Sequence, residues 1–295
     1  MRLSLVFSVM YVLAVAGSCF AGLKSDIDSL IRAQAPARYS VAVVDGGSGE
    51  LVYGHHERVA LIPASNMKVV ASAVALQYLG AEYEFVTRVG MVGDVLVVIG
   101  AGDPLLGDVK TDKALEREPG WIFRNIAERL GKLGVKRLGG MVVDSTFFDD
   151  ERVHPSWPAS ELNKHYSAEV CGLNYYTNRI DLVISNDKGR VRVETDPLTS
   201  FLRFSNEVKV ISKGDQGISA LRKIGKPNQI VLRGKVRSSQ SVGLAVEQPA
   251  AYFGFMLAEE LQRRGIAVEG QLIEAAVPTD KPFDPVAEYR TPLRQ

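Results

Sequence analysis

The chain has 295 residues, 46% of them hydrophobic and 23% charged, with a formal net charge of +1. This is ordinary globular composition, long enough for a sizeable core and for more than one domain. A charge so close to zero excludes a nucleic-acid surface and a polybasic membrane patch as the main business of the chain.

The N-terminus comes first. Arg2 is followed by an apolar run from Leu3 to Ala16, then Gly17, Ser18 and Cys19-Phe20-Ala21. A positive start, a short apolar stretch and a small-residue exit predict a secretory signal peptide over residues 1–21. The run is too short for a comfortable membrane span. The expectation is secretion across the cytoplasmic membrane to a periplasmic or cell-wall-associated site, with no stable transmembrane span after cleavage. Two alternatives are a buried N-terminal helix and, from "AGSC", a lipidated Cys19. If Cys19 leaves with the leader, Cys171 is the one remaining thiol and reads as a small buried hydrophobe.

The elements follow in order. Lys24 to Gln34 has apolar residues at helical spacing and is stopped by Ala35-Pro36. Tyr39 to Val44 and Glu50 to Gly54 flank Asp45-Gly46-Gly47-Ser48-Gly49, which predicts a hairpin. Ser65 to Leu79 reads as a helix with Gly80 as its stop. Phe85 to Met91 and Val95 to Ile99 read as paired strands around Gly93-Asp94, ended by Gly100-Ala101-Gly102-Asp103-Pro104. Trp121 to Leu133 is an amphipathic helix and Lys136 to Val143 a strand. Short strands dominate from Asn174 to Glu247, with turns at Asn186-Asp187-Lys188-Gly189 and Lys226-Pro227-Asn228. Pro249 to Arg264 is a helix, with Tyr252, Phe255, Met256, Ala258 and Leu261 at helical spacing, and Val268 to Ala276 a further strand. The predicted class is α+β.

"PASNMK", Pro63 to Lys68, places Ser65 three residues before Lys68 at a helix start. Residues so spaced share a helix face, so the amine can reach the hydroxyl. A serine becomes a nucleophile when a base takes its proton, and the helix N-terminus offers unpaired N–H groups to a developing oxyanion. A bare Ser-x-x-Lys is a weak signal, about one chance match in a chain this long. The bland alternative for Ser65 is a helix N-cap. A second match, Ser185 to Lys188, lies in a β-turn with no reason for its lysine to face its serine.

The surroundings add specificity. "VAVVDGGSGELVYG" followed by "LIPASNMKVVASAVALQYLG" resembles the penicillin-recognising serine D-alanyl-D-alanine peptidases. "GAGDPLL", "GGMVVDSTFFDDERVHPSWP", "YSAEVCGLNYYTN" and "GIAVEG" narrow the resemblance to the class C low-molecular-mass penicillin-binding proteins, the D-alanyl-D-alanine carboxypeptidase/endopeptidase family, from about Tyr39 to the chain end.

The resemblance implies Ser65 as acyl-enzyme nucleophile, Lys68 as its general base and the Ser65 N–H as one oxyanion donor. It implies Asp144 as a contact to the amino end of a peptidoglycan stem peptide, against the alternative of a strand-end turn residue. It implies β-lactams as inhibitors and no cofactor. Asp103, in Gly-Asp-Pro, reads as a turn residue.

The implied layout is a signal peptide at 1–21 and the first part of a catalytic domain at 22–84. A strand-rich insertion of two subdomains fills 85–280, and residues 281–295 turn back toward the catalytic domain and are cut short.

The sequence departs from the family in one respect. It has neither the Ser-x-Asn nor the Lys-Thr-Gly element; Lys110-Thr111-Asp112 comes nearest, in the wrong region. Without the strand after Lys-Thr-Gly the oxyanion hole lacks its second donor, a loss of about 2.7–4 kcal/mol where such donors have been removed. An inactive homologue acting as a peptidoglycan-binding or scaffold module is therefore the alternative reading, and a β-lactamase or esterase of the same superfamily a third. The four histidines show no metal spacing, and Gly100-Ala101-Gly102 does not continue as a dinucleotide loop.

Overall fold

The computed structural model describes residues 22–223, 225–278 and 282–294. The leader and Cys19 lie outside the described residues. The chain divides into two compact units, one ending at Tyr78 and one starting at Leu79.

The first unit holds helix α1 (22–33), strands β1 (Val41–Val44) and β2 (Leu51–His55), and helix α2 (Met67–Leu79). The hairpin forms as predicted, antiparallel, with Val41 opposite His55. Asp45 closes its turn by accepting from the N–H groups of Gly47 and Ser48. The hairpin is a two-stranded sheet by itself, an arrangement marginal in water without a packed face. Tyr53 supplies what packing there is. It is the only buried residue between 22 and 78, and its hydroxyl donates to Asp28 at 2.6 Å. That bond pushes the phenol up to about 12.

The second unit is built on a five-stranded mixed sheet. In chain order its first parts are β3 (Glu84–Val92), β4 (Val95–Ile99), α3 (Val109–Ala114), α4 (Trp121–Lys132), β5 (Arg137–Leu138) and β6 (Gly140–Asp144). Then come β7 (Arg179–Asp187), β8 (Arg190–Asp196), β9 (Arg203–Val210), β10 (Gly217–Arg222), β11 (Gln229–Val236) and β12 (Gln240–Ala245). Helix α5 (Pro249–Arg263) and strands β13 (Ala267–Val268), β14 (Leu272–Glu274) and β15 (Asp284–Pro292) complete it.

The main sheet runs β14-β6-β4-β3-β15. Its β4–β6 and β6–β14 pairs are parallel; β3 pairs antiparallel with β4 and β15. Two three-stranded sheets, β12-β7-β8 and β10-β11-β9, take up the strand-rich middle.

One sequence expectation changes here. The single strand expected from Val268 to Ala276 is split into β13 and β14. The break falls at Gly270, where a Cβ would collide with the Gly139 carbonyl, so the backbones cross too closely for any side chain. Within 281–295, β15 forms the edge strand beside β3, with Thr291 opposite Phe85.

The core joins sheet and helices. α5 packs on β6 and β14, and α4 packs on α5 and β15. α4 buries Ile122, Ile126 and Leu130. Of the face expected on α5, Tyr252, Met256 and Leu261 are buried and Phe255 and Ala258 only partly so; Phe253 and Leu257 are buried beside them. Phe123, Tyr175 and Phe253 form an aromatic cluster with ring centroids 4.5–6.3 Å apart.

Two of the resemblance segments meet by backbone. Gly102 N–H donates to the Gly172 carbonyl at 2.7 Å, and a Cβ on Gly100 would strike that same carbonyl. Tyr176, Thr177 and Asn178 follow with φ of 54°, 53° and 52°. Three successive left-handed residues are costly. Asn178 holds them by accepting from Tyr175 N–H and donating to Asn174 at 2.6 Å.

Gly172→Ala would drive a Cβ into the Ser145 backbone. It should cost about 1–3 kcal/mol or more, read as a lower denaturant midpoint at unchanged slope.

Candidate active site

Ser65 lies in a single 3-10 turn, Ala64–Asn66, and Lys68 in the first turn of α2. The turn is entered through Ala64 at φ 45°, a left-handed conformation unusual for a residue with a side chain. Asn66 N–H closes it on the Pro63 carbonyl at 2.9 Å. The Lys68 amine donates to the Ser65 hydroxyl at 3.2 Å. Among the described residues the Ser65 hydroxyl accepts from no backbone N–H, so the bond it makes is to the lysine and not that of an N-cap. Ser185 and Lys188 share no such bond: Ser185 lies in β7 and Lys188 in the turn after it, at φ 52°.

The pair stands on an unusual helix. α2, "MKVVASAVALQYL", is apolar around most of its circumference, yet none of its residues is buried. Val69 is 72% exposed and Tyr78 83%. A helix apolar on all sides belongs inside a core. Ser65 and Lys68 are themselves exposed.

Asp144 ends β6 and is buried. One carboxylate oxygen accepts from Thr146 N–H at 2.9 Å and Thr146 hydroxyl at 2.6 Å; the other accepts from Val277 N–H at 2.9 Å. These bonds tie two loops to the strand end, which is what a turn residue does. Asp144 also lines an open cleft of about 450 Å³ with Arg88, Thr146, Phe147 and Glu288. Asp103 is buried, accepts from Leu105 N–H and Thr291 hydroxyl, and has its carboxyl raised by burial.

Among the described residues no three His, Cys, Asp or Glu side chains are grouped to hold a metal. Cys171 is a free, buried thiol raised above its ordinary value by burial.

Sequence reasoning missed two polar groupings because each joins residues far apart in the chain. Arg152 pairs with Glu274, and Ser145 donates to the same carboxylate. Asp112, Arg117, Asn125 and Tyr289 line a second pocket. Only the near-match Lys110-Thr111-Asp112 had drawn attention to that region.

The chain belongs to the D-Ala-D-Ala carboxypeptidase 3 (S13) family, whose model matches residues 23–293. It is 27% identical over 287 residues to the D-alanyl-D-alanine carboxypeptidase of Actinomadura sp. (strain R39), covering 90% of this chain and 51% of that protein. Penicillin binding protein 4 of Haemophilus influenzae shares the fold, with a TM-score of 0.64 at 18% identity over 83% of this chain and 55% of that one. A second structure of that protein, complexed with a novel beta-lactam, matches at 0.64 and 17% over 90% and 58%. The chain thus spans about half the length of these relatives.

An exposed helix with few buried contacts opens easily. Amides of α2 in the 295-residue chain should exchange with deuterium about 100-fold or more faster than those of β4 and β6. Equal protection would show that α2 is already covered in solution.

Proposed function

We propose that this chain carries the acylating end of a serine-type D-alanyl-D-alanine carboxypeptidase/endopeptidase that acts on peptidoglycan stem peptides. The observation that carries the reading is the Lys68–Ser65 hydrogen bond at the start of α2, in a chain of this family. As the proposed general base, Lys68 takes the Ser65 proton as Oγ attacks the carbonyl carbon of the penultimate D-alanine. The Ser65 N–H, on the turn leading into the helix, receives part of the oxyanion charge. D-alanine, or the crosslinked partner, leaves with that proton, and water then frees the serine. β-Lactams would acylate the same hydroxyl.

Asp144, on the cleft with Arg88 and Glu288, is the proposed contact to the amino end of the stem. The N-terminal pattern supports secretion to a periplasmic or cell-wall site. Among the described residues no helix is long and apolar enough to cross a membrane.

The second reading, a peptidoglycan-binding or scaffold homologue without turnover, draws on the bare apolar α2.

Fluorescent penicillin separates the two. It should label the protein at Ser65. Ser65→Ala should abolish labelling, and Lys68→Ala should slow it about 10²–10⁴-fold. Labelling that survives Ser65→Ala overturns the assignment. No adduct at any concentration, in a folded protein, favours the second reading.

A further inference from the structure

Asp112, on α3, is 5% exposed. Among the described residues its carboxylate takes part in no hydrogen bond and no ion pair. Its oxygens are not among the polar atoms sealed from solvent without a partner, so they reach open space beside the helix. Burial raises its carboxyl, while the nearby Arg117 acts in the opposite sense.

The carboxylate lines a pocket of about 130 Å³ between α3, α4 and β15. At about 10–15 Å³ of such space per water, this is room for roughly ten waters, enough for a small solute.

The walls are held in place. The Arg117 guanidinium lies 4.2 Å from the centre of the Trp121 ring. Trp121 meets Tyr289 edge-on at 5.5 Å. The Tyr289 hydroxyl and Arg129 Nε both donate to Asn125 Oδ1, at 2.9 and 3.0 Å. With its oxygen doubly used, Asn125 has its NH₂ left as a donor. Arg117 is in no ion pair among the described residues. Arg129, Glu288 and Arg290 also line the pocket, Glu288 and Arg290 paired with each other. The groups left there without an ion-pair partner among the described residues are the Asp112 carboxylate and the Arg117 and Arg129 guanidiniums, with the Asn125 amide as a donor, beside an apolar wall of Leu106 and Ile122.

A simple anion would meet Asp112, and a simple cation would meet Arg117. One class of small molecule answers both.

We propose that this pocket binds a small zwitterionic α-amino acid, its ammonium on Asp112, its carboxylate on Arg117 and Asn125, and its side chain against Leu106 and Ile122. The site is built from residues of the second unit and does not depend on the function proposed for Ser65. If that function holds, D-alanine is an amino acid the reaction itself releases.

Calorimetric titration of the 295-residue chain with glycine, D-alanine and L-alanine tests this. Saturable one-to-one binding of at least one of them is expected, with N-acetylalanine and alaninamide, each lacking one charge, at least about tenfold weaker. Asp112→Asn and Arg117→Gln should each weaken binding by a similar factor. The blocked ligands are read on the unaltered protein, so the test stands even if a variant fails to fold. No binding of any amino acid, or equal binding of N-acetylalanine, overturns the proposal. So does affinity undiminished in both variants. None of these outcomes depends on penicillin labelling at Ser65, so the two proposals can fail separately.

Discussion

An apolar helix in water is the constraint on which the candidate active site rests. α2 carries the Ser65–Lys68 pair at its start, and its Val, Ala, Leu and Tyr side chains face solvent on every side. Fully burying one Val or Leu side chain is worth about 1.5–3 kcal/mol, so a helix with this many is driven to find cover. Among the described residues the first unit offers little: α1 and a two-stranded hairpin, with Tyr53 the one buried residue. The same exposure leaves the serine and its lysine open to water, where electrostatic stabilisation of an oxyanion is at its weakest. Covering α2 and drying the site are thus one physical event.

The second unit is organised differently. Its sheet is clamped by α4 and α5, and its interior is dense with aromatic contacts around Tyr175. The segments that give the chain its family likeness converge there. Gly100 and Gly172 let two backbones touch, and Asn178 holds a left-handed turn next to the aromatic cluster. Buried Asp103 ties its own turn to Thr291 on β15. These residues make a specific core, whatever chemistry the protein performs.

Much of this was legible in the chain. The hairpin at 41–55, the helices at 67–79, 121–132 and 249–263, and the β3–β4 pair follow from turn residues and apolar period, and each formed within a few residues of its predicted place. The Ser65–Lys68 contact was legible too, because three residues on a helix are neighbours by geometry alone. The split at Gly270 was not, since it depends on Gly139, far away in sequence. Nor was the placing of β15, whose partner β3 lies about two hundred residues earlier. Asp144 read equally well as ligand or turn, and three hydrogen bonds now account for its carboxylate.

The sequence by itself determined the local elements, the α+β class, the pairing of a serine with a lysine and, through its motif segments, the family. All of these are written in spacings of a few residues. Tertiary structure alone decided that Asp112 and Arg117 line one pocket, that β15 closes the sheet of the second unit, and that α2 has no buried residue. Burial and charge pairing are set by which distant segments fold together. An apolar or acidic side chain carries no local mark of the neighbours it will have.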